Sequence, residues 1–139
     1  MKYYTLKYKP SLKDGWGGYA RYWKIEIAEK YRDDKGLLEH EKFHVRCWWY
    51  CLAATWLVAL VMYFVGTHGW WFPVMVMGPW MHGILYRNKY FRKLVEVRAY
   101  KIQINKGSYS NVDFAVRALS SKYKLGISES HAKKLLGLS

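Results

Sequence analysis

The sequence predicts an α+β protein that is predominantly α, with a hydrophobic helical hairpin between two more polar helices. The first observation is that residues 47–86 contain no Asp, Glu, Lys or Arg, a run long enough for two apolar helices. The second is that residues 19–27 alternate between two faces, as a half-buried strand does. The third is that three later segments have the length and pattern of helices, 88–104, 112–124 and 129–137. The 139 residues are expected to form a single domain, 1–139.

The charge balance favours an anionic partner. A formal net charge of +13 and a pI of about 9.7 are typical of proteins that bind nucleic acid or an anionic lipid surface. Cys47 and Cys51 are the only cysteines and lie four residues apart in a predicted helix, so we expect them to be reduced. Residues 1–10 lack an apolar core and do not resemble a signal peptide, so any membrane segment would have to serve as its own targeting signal.

Strands are expected before the first long helix. Residues 1–9 are aromatic and basic and predict one strand. Residues 19–27 predict a second, continuous strand, one face of which would carry Tyr19, Arg21, Trp23, Ile25 and Ile27. Asp33 or Asp34 is expected to cap the helix that follows.

The apolar run predicts two helices. A helix from about Leu37 would continue through 47–65, residues 66–69 (GTHG) would break it, and 70–86 would form the second helix. Each apolar piece approaches the roughly 20 residues that span a bilayer core. We expect the second helix to be kinked or re-entrant because of three residues, Pro73, Gly78 and Pro79. The alternative is a buried hairpin of a soluble domain, which a chain of this size has little other mass to cover.

Basic residues on both sides of the hairpin predict its orientation. Arg46 precedes the uncharged run, the segment 87–93 (RNKYFRK) follows it, and the connecting residues 66–69 carry no charge. By the positive-inside rule we expect an inner (cytoplasmic) membrane protein with both termini cytoplasmic. The lipid bilayer would then be one partner, with the positive charge bound to its anionic inner leaflet.

Residues 40–44 carry the motif that points to chemistry. His40, Glu41 and His44 form H-E-x-x-H, and on a helix the two histidines lie on one face, where both imidazoles can bind one Zn²⁺. Glu41 would be rotated by about 100° from His40, close enough to take a proton from the attacking water and pass it to the leaving amine. The alternative is a solvated helix with two unrelated histidines.

A catalytic zinc site usually has three protein ligands. The acidic residues after the motif are Glu96, Asp113 and Glu129. A hairpin returns the chain to the side from which it entered, which would bring Glu96 back beside the histidines. Ala99, one turn further on, would let the two helices approach closely. Glu96 is therefore the predicted third ligand.

H-E-x-x-H, a hydrophobic hairpin and then E-x-x-A together resemble the membrane-embedded gluzincins, the group of the heat-shock and CAAX-processing metalloproteases. The chain is also similar to small H-E-x-x-H proteins of tailed phages, whose motif is followed by aromatic residues and an E-x-x-A-Y helix. The resemblance covers roughly residues 20–135, with specific matches at 40–45 and 96–100. It implies a minimal zincin-like fold, zinc at His40, His44 and Glu96, and a catalytic Glu41. The chain departs from the larger membrane proteases because it lacks their preceding transmembrane helices and the acidic residue that usually follows E-x-x-A.

These observations predict a zinc metalloendopeptidase that hydrolyses polypeptide near the cytoplasmic membrane surface. The edge of strand 19–27 would hold an extended peptide by backbone hydrogen bonds, or would be purely structural. The first alternative is a catalytically silent membrane or phage structural protein with a structural zinc site, which would not need Glu41. The second is a nucleic-acid-binding helix-turn-helix at 114–137, which is disfavoured because its second helix has no Arg, Asn or Gln to read bases.

Other residues have weaker claims to a role. A thiolate ligand from Cys47 or Cys51 is conceivable, but small residues in an apolar helix are the simpler interpretation. His82 would lie near the cytoplasmic end of the hairpin and is assigned an interfacial role, although it could reach the site. His68 is expected at the far side, and His131 in solvent. The sequence does not choose among three candidate donors to a tetrahedral oxyanion, Arg98, Tyr100 and Tyr109.

Overall fold

A computed structural model describes residues 2–13, 16–123 and 125–138. The chain is mostly helical with one small sheet, which confirms the predicted α+β class with helix predominant. The strands are β1 (Thr5–Lys9), β2 (Gly18–Arg21) and β3 (Lys24–Ala28). The α-helices are α1 (Lys35–Val65), α2 (Trp71–Tyr86), α3 (Lys89–Lys106), α4 (Asp113–Arg117) and α5 (Glu129–Leu136). A short 3₁₀ helix spans Glu29–Tyr31, and a π-helical turn, Ala118–Lys122, continues α4.

The sheet packs its apolar face on the first half of α1. The strand order is β1-β3-β2, with β1 parallel and β2 antiparallel to β3. Ile25 and Ile27 of β3 are fully buried and form a cluster with Val45 of α1. This packing fixes β2, the strand at the sheet edge, against the helix that carries the H-E-x-x-H motif.

The prediction of one continuous strand over 19–27 is wrong, because this segment is a β-hairpin. Tyr22 has a φ of 57°, and the chain reverses between Arg21 and Lys24. Partners across an antiparallel pair share a face, and here Ala20 pairs with Ile25. The two-residue turn therefore exchanges odd and even positions, so Tyr19 and Arg21 lie on the face opposite to the buried isoleucines. No typical turn residues mark this reversal, because the turn is Tyr-Trp rather than the Asn-Gly typical of such hairpins.

The first long helix begins two residues before the predicted start. Of the two predicted caps, Asp34 is the one used: its side chain accepts a hydrogen bond from the backbone N–H of Leu37 at 2.8 Å. The helix is unbroken over 31 residues and ends at Gly66, whose φ of 75° is the left-handed conformation common at helix ends. One rigid element therefore joins the H-E-x-x-H motif to the uncharged run.

The second half of α1 packs antiparallel to α2. The Trp48 indole donates to the Pro79 carbonyl at 2.9 Å, and the Trp56 indole donates to the Met75 carbonyl at 3.2 Å. α2 remains helical through Pro79, and Gly78 is its one buried residue. Large apolar side chains of both helices face outwards, among them Tyr50, Leu57, Phe64, Val65, Trp70, Phe72 and Trp80.

Within the described residues, α1 alone is long and apolar enough to cross a membrane. Only 22% of its most apolar 18-residue window is buried, which is unlike the core helix of a soluble protein. α2 has 16 residues. At 1.5 Å per residue that is about 24 Å, short of the roughly 30 Å hydrocarbon core.

α3 turns back along the first half of α1 and leads into a second small core. Asn88 caps α3 by accepting hydrogen bonds from the backbone N–H groups of Tyr90 and Phe91. α5 begins at the predicted cap Ser128, whose hydroxyl accepts from the His131 N–H at 3.2 Å. The second core joins α3, α4 and α5 through residues such as Tyr100, Ala115, Leu119, Ala132 and Leu136.

Candidate metal centre

The first half of α1 and the middle of α3 bring three metal-binding side chains together. His40 and His44 lie one turn apart on α1, and their Nε2 atoms are 3.1 Å apart. Glu96 on α3 places Oε2 3.7 Å from His40 Nε2 and Oε1 3.8 Å from His44 Nε2. Among the described residues, this is the one group of three or more His, Cys, Asp or Glu side chains close enough to hold a metal ion.

The three distances fit one tetrahedral metal ion. Two ligands bound at about 2.0–2.1 Å with a tetrahedral angle lie about 3.4 Å apart. The observed separations of 3.1, 3.7 and 3.8 Å lie on both sides of that value. Glu96 is 1% exposed, and its Oε2 has no hydrogen-bond partner in the described part of the chain. A buried carboxylate oxygen without a donor is costly unless a cation balances it, so the residues present fit a metal ion.

The environment of Glu96 is built by tyrosines. The Tyr86 hydroxyl, at the end of α2, donates a hydrogen bond to Glu96 Oε1. Burial raises the pKa of Glu96 to about 8, against the opposing effects of a hydrogen bond from Tyr123 and the charge of Lys122. Without a metal, the site therefore holds this carboxyl mostly protonated at neutral pH. A cation beside it would restore the carboxylate.

Glu41 is buried next to the three ligands and contacts the sheet edge. Its pKa is raised to about 8, first by burial and then by the charge of Glu96, while Lys122 lowers it. Gly18, the first residue of β2, faces the Glu41 carboxyl: a Cβ built on Gly18 would lie 2.6 Å from Glu41 Oε1. The glycine therefore leaves the space that the carboxyl occupies.

Both histidines are held neutral. Burial lowers the pKa of His40 to about 4, and the nearby Gln103 side chain has a smaller, opposing effect. Burial also lowers the pKa of His44 well below its usual value, and the charges of His40 and His82 act in the same direction. A neutral imidazole has a free lone pair, which is the form that binds a metal.

Two cavities meet at Glu41. Each has a volume of about 510 Å³, and both are lined by Trp16, Gly18, His40, Glu41, Lys122 and Tyr123. The first extends along β2 towards α2 and reaches His82 and Tyr86. The second extends towards the C-terminal helices and reaches Tyr109 and Arg117. The candidate centre thus lies beside two adjoining cavities that share Glu41 in their lining and that we together call the groove.

The remaining predicted candidates lie elsewhere or have other contacts. Asp113, Glu129 and His131 are exposed, and Cys47 and Cys51 are free thiols outside the three-residue group. His68 lies in the turn between α1 and α2, 24 residues after His44 in sequence. The 22 helical residues from His44 to Val65 alone span about 33 Å at 1.5 Å each.

The three predicted oxyanion donors are separated by the fold. Arg98 is exposed on the outer side of α3, in a shallow groove with Lys93 and Lys101. Tyr109 binds Asp34, and the Tyr100 ring packs edge-on against His40 with centroids 4.6 Å apart. None of the three has its polar group in the first cavity, where the ligands and Glu41 meet.

Sequence reasoning missed several residues that the fold brings to the site. They are Gly18, Tyr86, Gln103, Lys122 and Tyr123. His82, which was assigned an interfacial role with the site within its reach, lines the first cavity, where its Nε2 is buried with no hydrogen-bond partner among described residues. Only Gly18 and Gln103 carried a usable signal, a glycine before an alternating strand and a lone amide on an apolar helix face.

No protein-family model, curated protein or solved structure matches this chain.

Proposed function

We propose that this protein is a zinc metalloendopeptidase that acts on polypeptide at the cytoplasmic surface of a membrane. The observation that carries the proposal is the position of Glu41. It lies in the same cavity as the mutually adjacent His40, His44 and Glu96, without belonging to the group that could hold a metal ion. A metal site needs only the three ligands, whereas hydrolysis needs a base beside them.

The ligand set favours zinc in an open site. Two imidazoles and one carboxylate are a common catalytic zinc set, while structural sites usually close with four protein ligands. Only three are found in the described part of the chain, which leaves one position for water or substrate. When bound there, zinc would lower the pKa of a water to about 7 and polarise the scissile carbonyl. This count disfavours the alternative of a purely structural site.

Glu41 would move the protons of the reaction. Its carboxylate accepts a proton from the attacking water and returns it to the amine of the leaving peptide. A pKa near 8 in the metal-free site shows a carboxyl of high proton affinity. A bound dication lowers this pKa, so the carboxylate form becomes available at neutral pH. General-base catalysis is most effective when the pKa lies near the working pH.

Two further side chains are placed to assist. His82 Nε2 and the Tyr123 hydroxyl both line the first cavity. A His82 Nε2–H would donate to a developing oxyanion, and Tyr123 would do so by giving up its hydrogen bond to Glu96. Burial raises the pKa of Tyr123, so its phenol stays protonated. The Tyr123 hydroxyl lies 3.2 Å from that of Tyr100, which fixes its direction.

The shape of the groove supports an extended substrate cut internally. The two cavities of the groove share Glu41 in their lining, and this arrangement suits an endopeptidase better than an enzyme that trims chain ends. β2 lines it with consecutive residues and, within the described residues, pairs only with β3. Its other edge can therefore hold a peptide strand by backbone hydrogen bonds.

The membrane location is part of the same proposal. His44 precedes the first residue of the uncharged run, Cys47, by three residues, a rise of about 4.5 Å along α1. The outward apolar side chains of α1 and α2 favour lipid contact, and the basic residues at both ends of the pair favour a cytoplasmic site. The substrate would be a juxtamembrane or membrane-associated segment.

The decisive experiment combines metal analysis with cleavage by the full chain in lipid vesicles. The probe is a reporter with one transmembrane helix and an unstructured cytoplasmic extension, reconstituted with the enzyme. Wild type is expected to hold one zinc and to cut the extension near the membrane. Glu41→Gln is expected to keep zinc and to lose about a hundred- to ten-thousand-fold in rate, because an amide cannot accept the proton.

The matched control is Glu39→Gln. It makes the same chemical change two residues earlier on α1, at a side chain paired with Lys42. It should cleave at the wild-type rate. Cleavage by Glu41→Gln as fast as wild type would refute the peptidase mechanism. A wild type that holds zinc but cuts neither the reporter nor an unfolded soluble protein would favour the structural-zinc alternative.

A further inference from the structure

The buried face of α3 carries a glutamine that the proposed chemistry does not use. Gln103 is 5% exposed and lies two turns after Glu96, on the same helix face. Its Nε2 donates to the Tyr109 hydroxyl at 3.2 Å. Its Oε1 is buried and accepts no hydrogen bond from any described residue.

His40 has the complementary unsatisfied atom. Its Nε2 faces His44 and Glu96, while its Nδ1 is buried without a hydrogen-bond partner in the described chain. His40 and Gln103 line the same cavity, the second one, and the Gln103 side chain acts on the pKa of the His40 imidazole in the direction expected of an acceptor. A buried polar atom left unpaired is costly, so a donor and an acceptor left over beside each other are expected to pair.

The orientation of the Gln103 amide is set from the start of α1. The Tyr109 hydroxyl donates its only proton to Asp34 Oδ1 at 2.5 Å, so its oxygen is left to accept from Gln103 Nε2. That bond directs the other end of the amide, Oε1, away from Tyr109. Gly36 makes the arrangement possible, because a Cβ there would lie 2.5 Å from the Tyr109 hydroxyl and 2.6 Å from the backbone carbonyl oxygen of Gln103.

We propose that Gln103 is a positioning residue: held by Tyr109 and Asp34, it accepts a hydrogen bond from His40 Nδ1–H and so fixes the tautomer whose Nε2 lone pair faces the metal. The inference rests on the proposed function for its purpose, because a fixed Nε2 lone pair matters only where a metal binds. Such partners of ligating histidines typically contribute 10- to 100-fold to metal affinity.

The first test measures zinc affinity of the full chain in detergent by competition with a chromophoric chelator. Gln103→Leu, which has no acceptor, is expected to weaken zinc binding about 10- to 100-fold. Gln103→Glu keeps an acceptor for Nδ1–H and is expected to stay within a few-fold of wild type. Asn105→Ala, which removes an exposed amide from the same helix, is the control and should not change affinity. Unchanged binding by Gln103→Leu, or equal losses in both Gln103 variants, would overturn the proposal.

The second test reads the tautomer directly in the wild-type protein and uses a variant only to assign the signal. Histidine labelled with ¹⁵N distinguishes a protonated Nδ1 from a protonated Nε2 by NMR, and a His40→Asn spectrum assigns the signal. With and without zinc, His40 is expected to carry its proton on Nδ1. A His40 protonated on Nε2 in the metal-free protein would overturn the proposed hydrogen bond from His40 Nδ1–H to Gln103. If wild type binds no zinc but His40 is protonated on Nδ1, the positioning role of Gln103 stands and the proposed function fails.

Discussion

The Trp56 indole N–H donates a hydrogen bond to the Met75 carbonyl oxygen at 3.2 Å. In a regular helix that carbonyl would accept from the N–H four residues later, but position 79 is a proline, which has no N–H. The indole of the neighbouring helix therefore replaces the missing donor. One turn further along, the Trp48 indole donates to the carbonyl of Pro79, which also has the N–H of Gly83 four residues later. The bond from Trp56 to Met75 thus helps to explain how α2 tolerates an internal proline in surroundings that offer few other donors.

The contact between α1 and α2 predicts that substitutions at two glycines of α2 change the stability of the protein differently. A Cβ on Gly78 would lie 3.0 Å from both Leu52 Cδ1 and Trp56 Nε1, whereas a Cβ on Gly83 meets no atom within 4 Å. Gly83→Ala should stabilise the protein by up to about 1 kcal/mol through helix propensity. Gly78→Ala should show no such gain, and Gly78→Val should lose about 1–3 kcal/mol because the helices must separate. Thermal unfolding in detergent measures both, and equal effects of the two alanine variants would contradict this packing.

The three proposed ligands predict a pattern of zinc loss. His40→Ala, His44→Ala and Glu96→Ala should each lower zinc occupancy sharply, because each removes one of three protein ligands. Inductively coupled plasma analysis of purified protein measures the occupancy. The matched controls are His131→Ala and Glu129→Ala, which remove exposed side chains of α5. Full zinc in Glu96→Ala together with loss in Asp113→Ala or Glu129→Ala would show that the third ligand is another residue.

Gly18 predicts a loss of catalysis without a loss of metal. Because a Cβ at this position would lie 2.6 Å from Glu41 Oε1, Gly18→Ala must displace the proposed general base. A displacement of the order of 1 Å can cost about a hundredfold in rate. Zinc content should not change, because the three atoms nearest to that Cβ all belong to Glu41 and not to a ligand. The neighbouring Gly17→Ala, whose Cβ would meet Tyr31 and Leu37 instead, is the control. Parallel loss of zinc and activity in Gly18→Ala would indicate a general collapse of the site.

The features of the fold and the candidate site that could be predicted from the sequence are those encoded by a few neighbouring residues. The cap at Asp34, the i,i+4 histidines and the cap at Ser128 are patterns of a few residues, and each is found where it was expected. The choice of Glu96 needed only the topology of a hairpin, which returns the chain to its starting side.

The missed features depend on contacts between distant segments. The turn at Tyr22 has no typical turn residue, and its reversal changes which side chains of β2 face the helix. The place of Gln103 follows from Tyr109 and Asp34, which are 75 residues apart in sequence. His82 was placed by its depth in the hairpin alone, which does not show that it faces the cavity.

The buried titratable groups predict how the stability of the metal-free protein depends on pH. For Glu41 and Glu96, pKa values raised from 4.5 to about 8 mean that stability is complete below pH 4.5 and is lost as the pH rises to 8. For His40 and His44, pKa values lowered below 6.5 mean that stability is complete above pH 6.5 and is lost as the pH falls. Each group contributes about 1.4 kcal/mol per pH unit within its range.

The two effects oppose each other between pH 4.5 and 6.5. Metal-free protein should therefore be most stable in that range and should lose stability on both sides. Melting temperatures in detergent with a chelator, from pH 4 to 9, test this. Glu41→Gln should reduce the loss above pH 6.5 by about half, because one of the two carboxyls is gone. With zinc added, stability should rise rather than fall above pH 6.5, since zinc binds the deprotonated ligands. A metal-free protein that becomes more stable from pH 6.5 to 8 would contradict the raised carboxyl pKa values.

The length of α2 makes the membrane topology open to a direct test. α1 is long and apolar enough to span a bilayer, whereas the 16 residues of α2 reach about 24 Å. In the proposed membrane location, the tip between them would therefore lie either at the far surface of a thinned bilayer or within the membrane. In a protein with both native cysteines changed to serine, His68→Cys marks the tip and Ser130→Cys marks α5. For a spanning hairpin with cytoplasmic termini, a membrane-impermeant thiol reagent applied to intact cells should label His68→Cys. Ser130→Cys should react only after permeabilisation. The protein should also remain in the membrane after carbonate washing. If neither site is labelled until the cells are permeabilised, the hairpin is re-entrant. Release of folded protein into the soluble fraction would refute the membrane location. The metal site would then still be tested separately by its zinc content.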